Sequence, residues 1–393
     1  MGLILPFLIV TPLERGVSLG AIGAIFAVHS AVAIVLEVPS GALADAVGRR
    51  RVMLAGAALT VASLVLFAFA QGVPVFMASV ALLAAGRALI SGSLEAWYVD
   101  SLRLIDPLAP LARGLSRGTA AEGVAMALGA IAGGVLVAAA DPGGADAILS
   151  VYSVAALAGA LAALAYLVAV ALLVHDSAAP RNGSDLEATV GARMREILAT
   201  ARTEAVASVT VRVVLVTAVA FGVAITAVEL LWQPQLVELI GEGDEQGLAL
   251  GALSAASMLA VAIGAAASPW LNRRLGLRAG YLATLVFGGV CLALLGVPES
   301  ALAFAAVYLL AYLGFGLTEP MHVELLNDAV GSRARATLIS AESLATQSGS
   351  LVSNLGVGTF AAAQGVGATW AIAGGLTVLT GALIARPLLR SND

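Results

Sequence analysis

Eleven times along its 393 residues this chain runs for roughly twenty positions with scarcely a charge, near 18–40, 52–72, 74–100, 118–140, 148–174, 211–240, 246–270, 279–297, 300–327, 336–362 and 366–387. A helix rises about 1.5 Å per residue, so each run is long enough to cross a hydrocarbon core of about 30 Å. In lipid every backbone N–H and C=O must be satisfied within the protein, which leaves only bundled helices or closed barrels. A barrel would show segments of about ten residues alternating apolar and polar, and these runs do not alternate. The expected class is an all-α polytopic membrane protein. Composition agrees: 11% of residues are charged, against about a quarter in a soluble domain. A twelfth apolar stretch, "MGLILPFLIVTP" at the start, is too short to span.

Arginine placement orients the runs. Arg49, Arg50 and Arg51 follow the first full span; alternate gaps then hold Arg103, Arg113 and Arg117, next Arg181 through Arg212, next Arg273, Arg274 and Arg278, next Arg333 and Arg335, and the tail holds Arg386 and Arg390. The intervening gaps hold none apart from Arg15. By the positive-inside rule the arginine-rich gaps and the C-terminus face the cytoplasm, and a bacterial cytoplasmic membrane is the expected location. The net charge of −5 says little about nucleic acid, and no nucleic-acid partner is expected. Cys291, alone, can form no intrachain disulfide and reads as a small packing residue.

The longest polar segment, His175 to Glu204, divides the spans into two groups, giving expected bundles over 1–174 and 211–393 with a cytoplasmic linker over 175–210. Leu186, Val190, Met194, Ile197 and Leu198 recur in that linker at helical spacing and predict an amphipathic helix on the membrane face. The two groups repeat one another. "SGSLEAWYVD" (Ser91 to Asp100) aligns with "FGLTEPMHVE" (Phe315 to Glu324), pairing Gly92 with Gly316, Glu95 with Glu319 and Asp100 with Glu324 at an offset of 224. Pro6, Leu43, Gly48 and Arg50 pair with Pro234, Leu271, Gly276 and Arg278 at 228; Arg113 and Glu122 pair with Arg333 and Glu342 at 220. Two parallel halves of six helices follow. The repeat places the start of the first span about seventeen residues before Met1, read as an upstream start site or else a truncated gene product.

"GALADAVGRRR", Gly41 to Arg51, resembles the loop signature of the major facilitator superfamily, Gly-x-Leu-Ala-Asp-Arg-x-Gly-Arg-Arg, which lies between that family's second and third helices on the cytoplasmic side. Ala46 stands where the family often has arginine. "LAAGRALISG" is loosely similar to the Leu-x-x-x-Arg-x-x-Gln-Gly pattern, with Leu83 and Arg87 in place and Ile90 and Ser91 replacing Gln and Gly. "GAIAGG", with Gly129, Gly133 and Gly134, resembles the Gly-Pro-x-x-Gly-Gly of drug:proton antiporters, with Ala130 for the proline. The resemblance implies the major facilitator fold, no enzyme activity, and a monomer that moves a small-molecule substrate through the bilayer.

Within the signature, Gly41 and Gly48 permit close contact and a sharp turn. Asp45 and Arg49 lie four apart and would share a face of a continuing helix. In the resembling family an acidic residue at the end of the fourth span meets the loop arginine, which makes Asp100 the third member of an expected cytoplasmic gate; Arg50 and Arg51 are assigned to topology and lipid headgroups. Asp45→Asn is expected to impair transport more than neutralising Arg273, its counterpart in the second half. Charges inside spans are costly and point to function: Glu37, Arg87, Glu95, Glu122, Glu319, Glu324 and Glu342, with His322 and His29 as possible proton carriers. Glu229, Trp232 and Gln233 are expected to present a carboxylate, an aromatic face and an amide to an organic, even cationic, substrate. No Walker loop, nucleophile elbow or metal-ligand spacing occurs, so no cofactor, metal or catalytic residue is expected and an ion gradient is the expected energy source. The reading is a proton-coupled exporter of small hydrophobic or amphiphilic compounds. Its alternatives are an importer of a small metabolite and a non-transporting sensor or remnant.

Overall fold

The computed structural model describes residues 1–107, 109–140, 149–175, 186–241, 243 and 245–390, apart from the surroundings of Gly41 and the side chains of Val38, Ala42, Asp45, Ala112, residues 186–190, Ser332, Arg333 and Ala336. Every regular element among them is helical. A 3-10 turn, Leu5–Phe7, and a short helix α1, Val10–Glu14, precede α2 (Leu19–Val47), α3 (Arg49–Ala68), α4 (Val73–Ile105), α5 (Leu111–Ala138) and α6 (Ser153–Leu173). Then come α7 (Leu186–Ala207), α8 (Val209–Ile240), α9 (Gln246–Leu275), α10 (Leu277–Leu294), α11 (Ala301–Ala329), α12 (Ser332–Gln364) and α13 (Val366–Arg390).

Ten helices among the described residues are long and apolar enough to cross a membrane, one fewer than the sequence runs suggest. The difference is α12, which has the length, at 33 residues, but whose hydropathy is diluted by Ser343, Thr346, Gln347, Ser348, Ser350, Ser353 and Asn354. Several of these hydroxyls are internally satisfied, as where Ser350 donates to the Gly222 carbonyl (3.2 Å) and Ser353 to that of Val223 (3.1 Å), both on α8. A helix diluted in this way is at home against other helices rather than against lipid.

The chain forms two compact units: Met1–Val17 with Val28–Met194, and Ser18–Ala27 with Arg195–Asp393. In unit 1, α3 packs on α4 and α6. Ser63 and Ser79 fasten α3 to α4 by donating to each other's carbonyls at 2.8 and 3.0 Å. In unit 2, α9 packs on α11, α8 on α12 and α13, and α10 on α11 and α13. Gly222 and Gly349 each face the backbone of the opposite helix, at the Thr346 and Val219 carbonyls, so a side chain at either would collide with it.

One feature of the repeat is reproduced in detail. Gly48 separates α2 from α3 with φ 104°, and Gly276 separates α9 from α10 with φ 79°. Both lie in the left-handed region, where an L-residue with a Cβ is strained, so glycine at these positions turns the chain sharply between two spans.

Candidate functional site

In unit 1 the arginine-bearing turn after Gly48 places Arg49 at the first position of α3, with its Nη2 2.9 Å from Asp100 Oδ2 near the end of α4. The side chains are 21% and 42% exposed, so the pair is solvent-screened and contributes on the order of 1 kcal/mol. Asp45 and Arg49 do not lie on one continuing helix, because Gly48 separates α2 from α3 between them. The surroundings of Gly41 and the side chain of Asp45 lie outside what the structure describes.

Arg50 is not simply a lipid-facing topogenic charge. Its Nη2 donates to the Ala171 carbonyl at 2.7 Å, satisfying an acceptor in the last turn of α6, where carbonyls lack helical partners and the helix dipole favours a cation. Trp97 of α4 donates from Nε1 to the His175 carbonyl just beyond that end (3.0 Å). Arg49, Arg50 and Trp97 thus tie together the ends of α3, α4 and α6. Beneath them Met53, Val170 and Val174 are buried with Leu54, Trp97 and Tyr166 packed against them.

The corresponding corner of unit 2 is built differently. Glu324, the repeat partner of Asp100, accepts from Asn272 Nδ2 of α9 at 3.0 Å, an exposed bond to a neutral donor. Deeper in, four helices meet through polar side chains. Tyr281 of α10 donates to Thr217 Oγ1 of α8 (2.7 Å), and its hydroxyl is 3.0 Å from His322 Nδ1 of α11. His322 Nε2 is 2.8 Å from Glu342 Oε1 of α12. Thr217, Tyr281 and His322 are buried, and Glu342 is partly exposed. Glu319, one turn before His322 and exposed, adds a second carboxylate within electrostatic range of both His322 and Glu342.

A count of protons along this chain limits its states. The Thr217 hydroxyl donates to the Val213 and Val214 carbonyls (2.8 and 3.0 Å), so toward Tyr281 it can only accept. With Tyr281 donating to Thr217, the ring tautomer that carries its hydrogen on Nδ1 donates to the Tyr281 hydroxyl, the one that carries it on Nε2 donates to Glu342, and the imidazolium does both. The contact between His322 and Glu342 fastens α11 to α12.

A second polar cluster involves Glu229 of α8, to which the Tyr312 hydroxyl donates. The Tyr312 and Tyr308 rings are 4.6 Å apart, and Tyr308 lies 5.3 Å from Trp232. Glu229 is partly accessible. Trp232 and Gln233, expected to meet a substrate, are instead 1% exposed: they fall on the face of α8 that packs inside the unit. Of the three only Glu229 keeps partial accessibility.

The remaining candidates are dispersed. Arg87, near the middle of α4, is exposed and within electrostatic range of His29 on α2. Glu95 and Glu122 are exposed on α4 and α5; Glu37 is partly buried, and its carbonyl accepts from Ser40. A Cβ on Gly129 would stand 3.0 Å from Gly2 Cα, and one on Gly133 would strike the Leu3 carbonyl, so these glycines seat the opening segment against α5; Gly134 is also buried. Among the described residues no three His, Cys, Asp or Glu side chains cluster as metal ligands. Sequence reading missed Thr217, Tyr281, Tyr308 and Tyr312. The four-residue spacing of Tyr308 and Tyr312 inside an apolar run was the available signal, since a buried phenol needs a partner.

Comparisons with known proteins agree with this architecture. The chain is similar in structure to a peptide transporter, POT, in complex with sulfate (TM-score 0.74, 16% identity, 99% of this chain and 90% of that one). It is similar also to the nucleoside transporter NupG (0.74, 13%, 98% and 97%) and to a POT family transporter in complex with 5-aminolevulinic acid (0.74, 11%, 100% and 93%). At such identities the likeness speaks for the fold alone. None of the curated proteins matches the sequence. The family model described as Major Facilitator Superfamily matches residues 1–354. With that match over most of its length, and with its apolar helices in the fold of those transporters, the chain belongs to the major facilitator superfamily.

Proposed function

We infer that this protein is a secondary transporter of a bacterial cytoplasmic membrane that exports small hydrophobic or amphiphilic compounds in exchange for protons, its arginine-rich loops and C-terminus facing the cytoplasm. The observation that carries the coupling is the His322–Glu342 pair, linked through Tyr281 to Thr217. A proton gained by the pair makes it an imidazolium–carboxylate bridge between α11 and α12; its departure leaves a neutral ring whose bond to the carboxylate is weaker. An equilibrium between two arrangements of these helices is then biased by protonation, as alternating access requires. The Arg49–Asp100 pair adds a second fastening at the basic end of unit 1.

The test uses the full-length protein in liposomes with an imposed pH gradient and a panel of labelled amphiphiles. Gradient-driven accumulation should disappear in Glu342→Gln and His322→Gln, while substrate counterflow without a gradient persists. Unchanged accumulation in both variants would refute the coupling. Import of a small metabolite would use the same relay, and the side on which substrate accumulates decides between the two.

A further inference from the structure

Glu229 sits within α8, eleven positions before the helix ends, far from any arginine of its own helix or of α11. The nearest on α8, Arg212, is about 25 Å away along the axis, and α11 contains none. Among the described residues Glu229 forms no ion pair, and the group donating to it is a neutral phenol, Tyr312. A carboxylate at this depth is costly unless a proton neutralises it or a positive charge joins it.

The neighbourhood indicates which positive charge. Ile225 and Phe221 lie one and two turns before Glu229 on the same helix face and, like Glu229, are partly accessible; so is Phe315 of α11. The Tyr312 ring is 5.6 Å from Phe315, and Phe315 meets Phe221 edge to face at 5.5 Å. A carboxylate thus stands at one end of an aromatic strip about 12 Å long. Inorganic cations want several oxygen ligands at once, which a lone carboxylate and a phenol do not supply. Aromatic faces beside a carboxylate suit a weakly hydrated ammonium with an apolar body.

We propose that this strip seats an amphiphilic organic cation, its ammonium on Glu229 and its apolar portion along Tyr312, Phe315 and Phe221. The inference rests on the transport reading above and supplies its substrate class. A neutral hydrophobic compound would leave Glu229 without its counter-ion, so the site selects for charge at one end only.

The test is binding of radiolabelled phenylbutyl-trimethylammonium, and of its uncharged isostere with a tert-butyl group, to the purified full-length protein in nanodiscs. Wild type should bind the cation at least tenfold more tightly than the isostere. Glu229→Gln should abolish that preference, Glu229→Asp should keep part of it, and Phe315→Leu should weaken both ligands. Monodispersity and an unchanged ligand-free melting temperature establish that the variants fold. Equal cation affinity in wild type and Glu229→Gln overturns the proposal. So does a Glu229→Gln variant that keeps cation affinity but loses proton-driven transport of an uncharged substrate, since Glu229 would then carry the proton. If wild type shows no ammonium preference while driven transport still depends on Glu342, the subsite falls and the coupling stands. If the preference depends on Glu229 but Glu342→Gln is driven normally, the coupling falls and the subsite stands.

Discussion

Met53 and Tyr281 occupy equivalent places in the two repeats, at the offset of 228 that also relates Gly48 to Gly276. In unit 1 the place is apolar: Met53 is buried with Val170 and Val174 under Trp97 and Tyr166. In unit 2 it is polar: Tyr281 bonds Thr217 and meets His322, which meets Glu342. At the helix ends the contrast reverses, for unit 1 has an ion pair, Arg49–Asp100, where unit 2 has Asn272–Glu324. One duplicated scaffold thus carries an apolar core with a charged clasp in one copy, and a titratable core with a weaker clasp in the other. Duplication sets the helix positions without setting their chemistry, which leaves each half free to specialise.

The contrast can be broken in several places. The largest effect is expected from Glu342→Gln, where loss of a partly buried charge-assisted bond worth about 3 kcal/mol should reduce proton-driven accumulation in liposomes about a hundredfold. Met53→Ala should cost about 2 kcal/mol through the cavity it leaves, seen as a lower melting temperature in detergent, with the proton dependence of transport unchanged. A change in that dependence would mean that the two cores are not functionally distinct. Asp100→Asn should slow transport about tenfold, whereas Glu324→Gln should slow it less than twofold, because only the first removes an ion pair; comparable rates for the two would erase the difference between the clasps. Smallest, Trp97→Phe should lower stability by about 1 kcal/mol, the worth of one bond to the α6 end, measured as denaturant-induced loss of helicity.

Much of the architecture was legible in the sequence because bilayer physics writes it there in long apolar runs and alternating arginines. Gly48 could be read as a turn and Arg49 and Asp100 as neighbours, since a known loop signature stands at known span ends. The α12 run is more polar than the others, and Ser350, Ser353 and Asn354 are buried within its unit. His322 and Glu342 could each be flagged as a costly charge. Their meeting could not be read, because it depends on the rotation of α11 and α12 about their own axes, which helical periodicity in such uniformly apolar segments leaves undetermined. The same ambiguity placed Trp232 and Gln233 beside a substrate when their face of α8 turns inward.

The glycine contacts between α8 and α12 bear on how these helices can move. Where Gly222 and Gly349 bring the two backbones together, Ser350 and Ser353 of α12 also donate to carbonyls of α8, so main-chain contact and hydrogen bonds coincide along one seam. Such a seam acts as a welded joint: a tilt of α8 carries α12 with it. Glu342, seven residues from Gly349 on α12, would then shift relative to His322 on α11. A bulky residue at Gly349 would strike the Val219 carbonyl and pry the joint apart.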